Sequence, residues 1–144
     1  MTRLKFLFAC GAIMTSGGGL SAAAPIEAPL PAALASLQPG QWALRSRDGS
    51  APPKMLCLGD PRVLLQVRHN GPACSKVVLS STGGAVVVNY SCLGGSNGRT
   101  EIRVETPRVI QIESQGIEAK APFEWSYEGR RIGECPISGP VAQR

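Results

Sequence analysis

The stretch of sequence that decides the fold is residues 85–105, AVVVNYSCLGGSNGRTEIRVE. Its first part, residues 85–92, is rich in the β-branched residues that favour strands, and the glycines within residues 94–98 predict a hairpin loop. Residues 99–105 alternate strictly, which indicates a strand with one solvent-exposed face. The charged face of that strand carries Arg99, Glu101, Arg103 and Glu105. The stretch therefore predicts two antiparallel strands, the second of which is wet on one side.

Five more segments on either side of this pair read as short strands: residues 41–47, 54–58, 76–80, 108–113 and 122–130. Turns are predicted at Asp48-Gly49, at residues 81–84 and at Gln115-Gly116. Asp60-Pro61 predicts the N-cap and first residue of a short helical turn. The pattern predicts an all-β fold: a single small antiparallel meander sheet, or a partial barrel, of about seven strands, with one helical turn and two disulfides.

The N-terminus has the layout of a secretory signal. Two basic residues precede an apolar run of about nine residues, and small residues follow up to Ala23. We predict a signal peptide over residues 1–23, an Ala/Pro-rich linker with at most a short helix over 24–38, a disulfide-stapled β domain over 39–136 and a flexible tail over 137–144. Lipidation at Cys10 is the alternative to this cleavage. No later stretch approaches the ~20 apolar residues of a membrane span, so no mature transmembrane helix is expected.

The charge of the chain argues against a nucleic-acid partner. The sequence has 15 basic and 10 acidic residues, and removal of the two basic residues of the signal leaves 13 against 10, a net charge near +3. The basic residues are scattered, with Arg130-Arg131 as the adjacent pair. A nucleic-acid-binding domain needs a clustered basic face, so we expect no nucleic acid to bind.

Four cysteines remain after the predicted cleavage: Cys57, Cys74, Cys92 and Cys135. An even number of cysteines in an exported chain favours disulfides. A zinc site is the alternative, but structural zinc sites use closely spaced pairs, whereas 16, 17 and 42 residues separate these cysteines. We therefore expect disulfides and no metal. Three pairings are possible, and the spacing does not choose between them.

Several motifs follow one another in the order LQPGQW at residues 37–42, the Cys57 strand with Asp60-Pro61 after it, Cys74, Cys92, and GRRIGEC at residues 129–135. Together they resemble the bacterial envelope family Domain of Unknown Function 3617, over about residues 37–135. Because that family has no assigned activity, the resemblance implies a location and a fold more than a function. It also implies a disulfide pairing of Cys57–Cys74 and Cys92–Cys135.

No group of residues in the sequence has the pattern of a catalytic site. His69 is the one histidine, and no Gly-x-Ser-x-Gly elbow supplies a nucleophile for it, so we expect an exposed loop histidine. Glu101 and Glu105 alternate with arginines, which predicts solvation or cross-strand pairing rather than acid–base catalysis. The loop at residues 94–98 joins two strands and lacks the helix that follows a phosphate loop. We expect no cofactor.

The last predicted strand carries the candidate ligand-binding residues. Alternation places Phe123, Trp125 and Tyr127 on one side of it, and Arg130-Arg131 follow directly. Trp125, Tyr127, Arg130 and Arg131 are the candidate site, in which the rings would bind an apolar or glycan ligand and an arginine would bind an anionic group. Core packing of the rings and solvation of the arginines are the simpler interpretation.

Export, a sheet-rich pattern and the lack of a catalytic motif together favour a non-enzymatic module. We predict a periplasmic or secreted protein that binds an envelope lipid, a glycan or a partner protein. A small periplasmic hydrolase or stress-related enzyme with an unrecognised site is the alternative. A purely structural component of a larger assembly is a third possibility, and the oligomeric state is left open.

Overall fold

The computed structural model of the protein describes residues 29–69 and 74–136. The predicted signal peptide, Cys10 and the predicted tail lie outside the described residues. Helix α1 spans Ala32–Ala35, and a 3₁₀ helix spans Pro61–Gln66. The strands are β1 (Gly40–Ser46), β2 (Lys54–Leu58), β3 (Ser75–Ser81), β4 (Ala85–Ser91), β5 (Asn97–Thr106), β6 (Val109–Glu118) and β7 (Ala121–Gly133). The predicted helical turn is confirmed, with the Asp60 carboxylate accepting a 2.9 Å hydrogen bond from the Arg62 backbone N–H.

The seven strands form one antiparallel sheet in the order β2-β1-β7-β6-β5-β4-β3. From β3 to β7 the sheet is a meander, because each strand pairs with the next one along the chain. Strand β1 pairs with both β2 and β7, so the N-terminal hairpin extends the sheet beyond the C-terminal strand. The predicted all-β antiparallel fold of about seven strands is confirmed. The sheet is open, and β2 and β3 are its edges.

One face of the sheet, called the inner face here, carries the hydrophobic core. The helix α1 and the 3₁₀ helix cover it with Leu34, Leu64 and Leu65. The fully buried apolar strand residues beneath them are Trp42, Leu44, Leu58, Val86, Val88, Ile102, Ile110 and Ile112. Burying one side chain of this size contributes about 1.5–3 kcal/mol, so the layer between the helices and the sheet is the main stabilising element.

The segment predicted as a linker contributes to this core. Helix α1 is the short helix that the sequence permitted there, and Ala33 and Leu34 on it have no solvent exposure. Leu37, just after the helix, is also buried. The folded part of the chain therefore begins before residue 39, because the apolar face of α1 packs against the inner face of the sheet.

The opposite face, called the outer face here, is polar and wet. Arg103 Nη2 lies 3.1 Å from Glu113 Oε1 on the neighbouring strand, and Arg47 Nη1 lies 3.6 Å from the same oxygen. Gln111 Nε2 donates a 3.0 Å hydrogen bond to Glu105 Oε1. The wet face predicted for β5 is confirmed, and its charges form exposed cross-strand pairs that contribute little to stability individually.

Both disulfides are present, but the pairing implied by the family resemblance is wrong. Cys57 is bonded to Cys135, and Cys74 is bonded to Cys92. The first bond follows from the position of β1, which lies between β2 and β7. Gln41 on β1 is opposite Cys57 on one side and opposite the last residue of β7 on the other. The C-terminal end of β7 is therefore held close to β2, 5.4 Å between the two cysteine Cα atoms.

The second disulfide closes the β3–β4 hairpin. Ser75 is opposite Ser91 in the ladder, which places the flanking residues Cys74 and Cys92 beside each other with Cα atoms 4.3 Å apart. Disulfides persist in oxidising compartments, so the pair is consistent with a non-cytoplasmic domain. Neither helix in the described part of the chain has the length and apolarity needed to cross a membrane.

The turn between β6 and β7 is not where the sequence predicted it. Gln115 and Gly116 lie inside β6, where Gly116 is opposite Gly98 of β5, so the predicted turn at this pair is wrong. The chain reverses at Ala119 and Lys120, whose φ angles are 49° and 66°. Two consecutive residues with positive φ are the mark of a type I′ turn, which favours asparagine and glycine. This hairpin therefore uses two residues that disfavour its backbone conformation.

Replacing Lys120 by glycine is expected to raise the free energy of unfolding by about 1 kcal/mol. Glycine adopts a positive φ without the ~1–2 kcal/mol cost that an L-residue bears in the left-handed region. Urea unfolding followed by circular dichroism measures the change. Lys76→Gly in β3 is the control, since glycine in a regular strand is expected to lower stability. A Lys120→Gly variant that is no more stable than the parent would argue against this turn.

Candidate functional site

The aromatic residues of β7 lie on the inner face, as the alternation predicted. Phe123, Trp125 and Tyr127 are opposite inner-face positions of β6, with Tyr127 facing the buried Ile112. The rings of Trp125 and Tyr127 meet edge to face, with centroids 4.7 Å apart and an interplanar angle of 81°. Both side chains pack against the core but are only partly buried. One side of this aromatic pair therefore stabilises the core while the other remains accessible.

The accessible side of the pair borders a cavity of about 330 Å³. The cavity is lined by Lys54, Val67, Arg68, Glu118, Trp125 and Tyr127, and we call it the inner-face cavity. Lys54 on β2 is opposite the buried Leu44 of β1, and Leu44 is opposite Gly129 of β7. This register brings the Lys54 side chain to the same face as Tyr127, two residues before Gly129. Arg68 reaches it from the chain just after the 3₁₀ helix. Residues distant in sequence thus meet beside the aromatic pair.

The charges of the inner-face cavity are held in place by short-range contacts. Arg68 Nε lies 2.5 Å from Glu118 Oε2, and the Arg68 guanidinium carbon lies 5.7 Å from the centre of the Phe123 ring. Lys54 Nζ donates a 3.2 Å hydrogen bond to the Val67 carbonyl oxygen. Two cations and one carboxylate leave one net positive charge, so the cavity favours an anion.

His69 is not the exposed loop histidine that the sequence predicted. Its ring lies against the rings of Tyr90 and Phe123, with centroids 5.2 Å and 5.8 Å apart, and its Nδ1 is 3.0 Å from the Tyr90 hydroxyl oxygen. The Nε2 atom is buried and has no hydrogen-bond partner within the described part of the chain. The histidine therefore packs against Tyr90 and Phe123 on the inner face, next to Arg68 in the chain.

Tyr90 is buried beneath this histidine, and burial raises the pKa of its phenol above the usual value. The chain has two tyrosines, so a Tyr127→Phe variant reports on Tyr90 alone. Titration of its tyrosinate absorbance is expected to give a midpoint above ~10, the value of an exposed tyrosine. A midpoint at or below that value would contradict the burial of Tyr90.

The raised pKa of Tyr90 also predicts a loss of stability at alkaline pH. The folded state retains the phenol proton more firmly than the unfolded state, so stability is unaffected below the unfolded pKa of ~10 and falls as the pH rises through the folded pKa. Urea unfolding of the parent and of Tyr90→Phe on both sides of this range tests the expectation. The variant is expected to lose less stability than the parent as the pH rises.

The structure separates the four residues that the sequence grouped as a candidate site. Arg130 projects from the outer face and pairs with Glu128 at 2.5 Å. The Arg131 side chain is 13% exposed, donates a 2.7 Å hydrogen bond from Nε to the Pro39 carbonyl oxygen and also contacts Glu134. Neither arginine lines the inner-face cavity. The binding role of the four residues therefore stays a prediction. Trp125 and Tyr127 lie beside two different cations, Lys54 and Arg68.

Sequence reasoning missed Lys54 and Arg68 because nothing in their local sequence marks them. Lys54 is the first residue of β2 and Arg68 follows the 3₁₀ helix, so they lie 71 and 57 residues before Trp125. Only the pairing of β1 with both β2 and β7 brings Lys54 to the aromatic strand. Among residues 29–69 and 74–136, no group of three or more His, Cys, Asp and Glu residues could hold a metal ion.

Comparison with known proteins identifies a family rather than an activity. No curated protein and no solved structure matches the chain. The family model described as Protein of unknown function (DUF3617) matches residues 37–135, the span from the buried Leu37 to the disulfide-bonded Cys135. The matched span contains all seven strands and both disulfides. The chain therefore belongs to the DUF3617 family, as its sequence motifs indicated.

Proposed function

We propose that the protein is an exported bacterial envelope domain that binds an anionic molecule with an apolar portion in the inner-face cavity. The observation that carries the proposal is the position of Lys54 and Arg68 beside the accessible side of the Trp125–Tyr127 pair, around a cavity of about 330 Å³. Small-molecule sites combine apolar surface with a few oriented polar groups, and this cavity places Val67, Trp125 and Tyr127 beside the charged Lys54, Arg68 and Glu118.

The location part of the proposal rests on two features. The N-terminal sequence has the layout of a cleavable signal, and the two disulfides need an oxidising compartment to persist. A bacterial protein with both features works in the periplasm or outside the cell. Its ligand is then a component of the envelope or of the surrounding medium.

The ligand chemistry follows from the lining of the inner-face cavity. The excess positive charge of Lys54 and Arg68 over Glu118 attracts an anionic group. The guanidinium of Arg68 offers paired donors that suit a phosphate or carboxylate. Trp125 and Tyr127 present apolar ring area beside the cations, as amphipathic aromatic residues do at lipid interfaces. An anionic lipid headgroup with the first part of its acyl chains fits this pattern.

A binding role is better supported than hydrolysis. The ring of His69 contacts Tyr90 and Phe123, whereas a triad would need a serine and a carboxylate at that ring. The carboxylate nearest the cavity, Glu118, is engaged by Arg68. These contacts orient side chains around a hollow without supplying an activated nucleophile.

Tryptophan fluorescence tests the proposal directly. The chain has two tryptophans, of which Trp42 is fully buried in the core and Trp125 lines the cavity. Dihexanoyl phosphatidylglycerol below its micelle concentration is expected to change the emission, whereas zwitterionic dihexanoyl phosphatidylcholine is not. The signal is expected to disappear in Trp125→Phe, which retains Trp42.

Charge variants show whether binding occurs at the inner-face cavity. Lys54→Gln is expected to weaken binding about fivefold, the factor that loss of ~1 kcal/mol of charge interaction represents. Arg130→Gln removes the same charge from the outer face and is the matched control, with affinity expected within twofold of the parent. Equal weakening by both variants, or the same affinity for both lipids, would reject the cavity as the site.

A further inference from the structure

A second cleft lies at the end of the sheet where β5 and β7 begin. It has a volume of about 730 Å³. Its lining comes from the four neighbouring strands β4 to β7 and includes Asn89, Arg99, Gln115, Ile117, Pro122 and Glu124. Arg68 and His69, which cover the inner face at this end, are not part of the lining. Alternation from the buried Val88, Ile102 and Ser114 places Asn89, Arg99 and Gln115 on the outer face. Tyr90 and Phe123 of the inner face also line the cleft, which shares no lining residue with the inner-face cavity.

The strand register arranges the polar side chains of this cleft in one straight row. Asn89 is opposite Arg99, Arg99 is opposite Gln115, and Gln115 is opposite Glu124. Because neighbouring strands are ~4.8 Å apart, the row extends across the sheet for roughly 15 Å. We call these four side chains the outer-face polar row. The next positions on the same face include Ile117 and Pro122, which are opposite each other and add an apolar strip beside the row.

The side chains of the outer-face polar row have unused hydrogen-bonding capacity. Farther along the same strands, Arg103 is paired with Glu113 and Arg130 with Glu128. None of the four side chains of the row makes a hydrogen bond or an ion pair with any described residue. An exposed strand face normally satisfies such groups with water or with cross-strand pairs, so the row is open to a ligand that can replace that water.

We propose that the outer-face polar row binds a neutral saccharide chain. Asparagine and glutamine amides both donate and accept, glutamate accepts and arginine donates, which together match the mixed donor and acceptor character of adjacent sugar hydroxyls. The single positive charge of Arg99 and the single negative charge of Glu124 cancel, so the row favours an uncharged ligand over an anion. Ile117 and Pro122 offer an apolar strip for the C–H face of a sugar ring. The roughly 15 Å length of the row suits several linked sugars rather than one.

Isothermal titration of the purified protein with two neutral hexasaccharides, maltohexaose and N-acetylchitohexaose, tests the proposal. At least one of them is expected to bind, and the amide resonances that shift on binding are expected to be those of residues 97–99, 115–117 and 122–124. Gln115→Ala and Glu124→Ala are each expected to weaken binding about tenfold, since each removes hydrogen bonds to the ligand. Failure of both hexasaccharides to bind at millimolar concentration would overturn the proposal.

Two controls distinguish this site from the surface in general and from the inner-face cavity. Gln111→Ala removes the same side chain from the same strand at a position where it already bonds Glu105, and it is expected to leave saccharide affinity unchanged. Lys54→Gln is also expected to leave saccharide affinity unchanged, because Lys54 lies on the inner face. Equal weakening by Gln111→Ala and Gln115→Ala would overturn the proposal without bearing on lipid binding.

Discussion

Replacing Cys57 and Cys135 together by serine is expected to lower the free energy of unfolding by about 4 kcal/mol. The bond joins residues 78 apart in sequence, so its loss releases a long loop in the unfolded chain, and the loop-closure entropy grows with loop length. The bond also ties β2, an edge of the sheet, to the end of β7. A loss of this size is a large fraction of the total stability of a small domain.

The second disulfide provides the comparison. Cys74 and Cys92 are 18 residues apart, so serine at both positions is expected to cost about 3 kcal/mol. Urea unfolding of the two double variants, followed by circular dichroism, measures the difference. Non-reducing peptide mapping of the parent is expected to recover Cys57 linked to Cys135. A smaller loss for the Cys57/Cys135 variant than for the Cys74/Cys92 variant would contradict the loop-length argument, and a Cys57–Cys74 peptide would contradict the strand order.

Replacing Gly116 by alanine is expected to destabilise the fold by about 3 kcal/mol, at the upper end of the usual cost of overpacking. A Cβ atom at this position would overlap the carbonyl oxygen of Asn97 and lie 2.6 Å from the Cα atom of Gly98. Both of these atoms belong to the backbone of β5, which cannot rotate away as a side chain would. The two strands would have to separate where they line the second cleft.

Gly133→Ala is the matched control for this prediction. Gly133 is also a strand residue, at the end of β7, but a Cβ atom there would have no other atom within 4 Å. The control is expected to change the free energy of unfolding by less than about 1 kcal/mol. If Gly116→Ala proves as stable as Gly133→Ala, the Gly98–Gly116 register of the β5–β6 ladder is wrong.

Most of the sheet could be predicted because strand formation leaves a local signal. The alternation of charged and uncharged side chains in β5 was sufficient to predict both the strand and its solvent-exposed face, because strict alternation is typical of a half-buried β-strand. The same signal placed Phe123, Trp125 and Tyr127 on one face of β7. Local glycines were less reliable. The sequence predicted a turn at Gln115-Gly116, but Gly116 lies within strand β6. The residue there is glycine because the backbone of β5 approaches too closely for a side chain.

The candidate site could be predicted only in part. The aromatic half of the inner-face cavity lies on one strand, so alternation was enough to group it. The cationic half comes from Lys54 and Arg68, which share no periodic pattern with Trp125. The adjacent arginines after β7 were the obvious choice from sequence, but successive strand residues point to opposite faces. Arg130 therefore faces the outer solvent, and Arg131 binds the Pro39 carbonyl oxygen.

The amino-acid sequence alone was enough to establish an all-β, disulfide-bonded domain of the DUF3617 family, with a polar face and an aromatic strand. These properties depend on residues that are neighbours in the chain or on motifs of fixed order. The disulfide pairing and the composition of both cavities depend on the strand order, which places β1 between β2 and β7. Strand order reflects the packing of distant apolar residues such as Trp42 and Ile112 into one core. Such packing is a property of the whole chain, so no local stretch of residues reveals it.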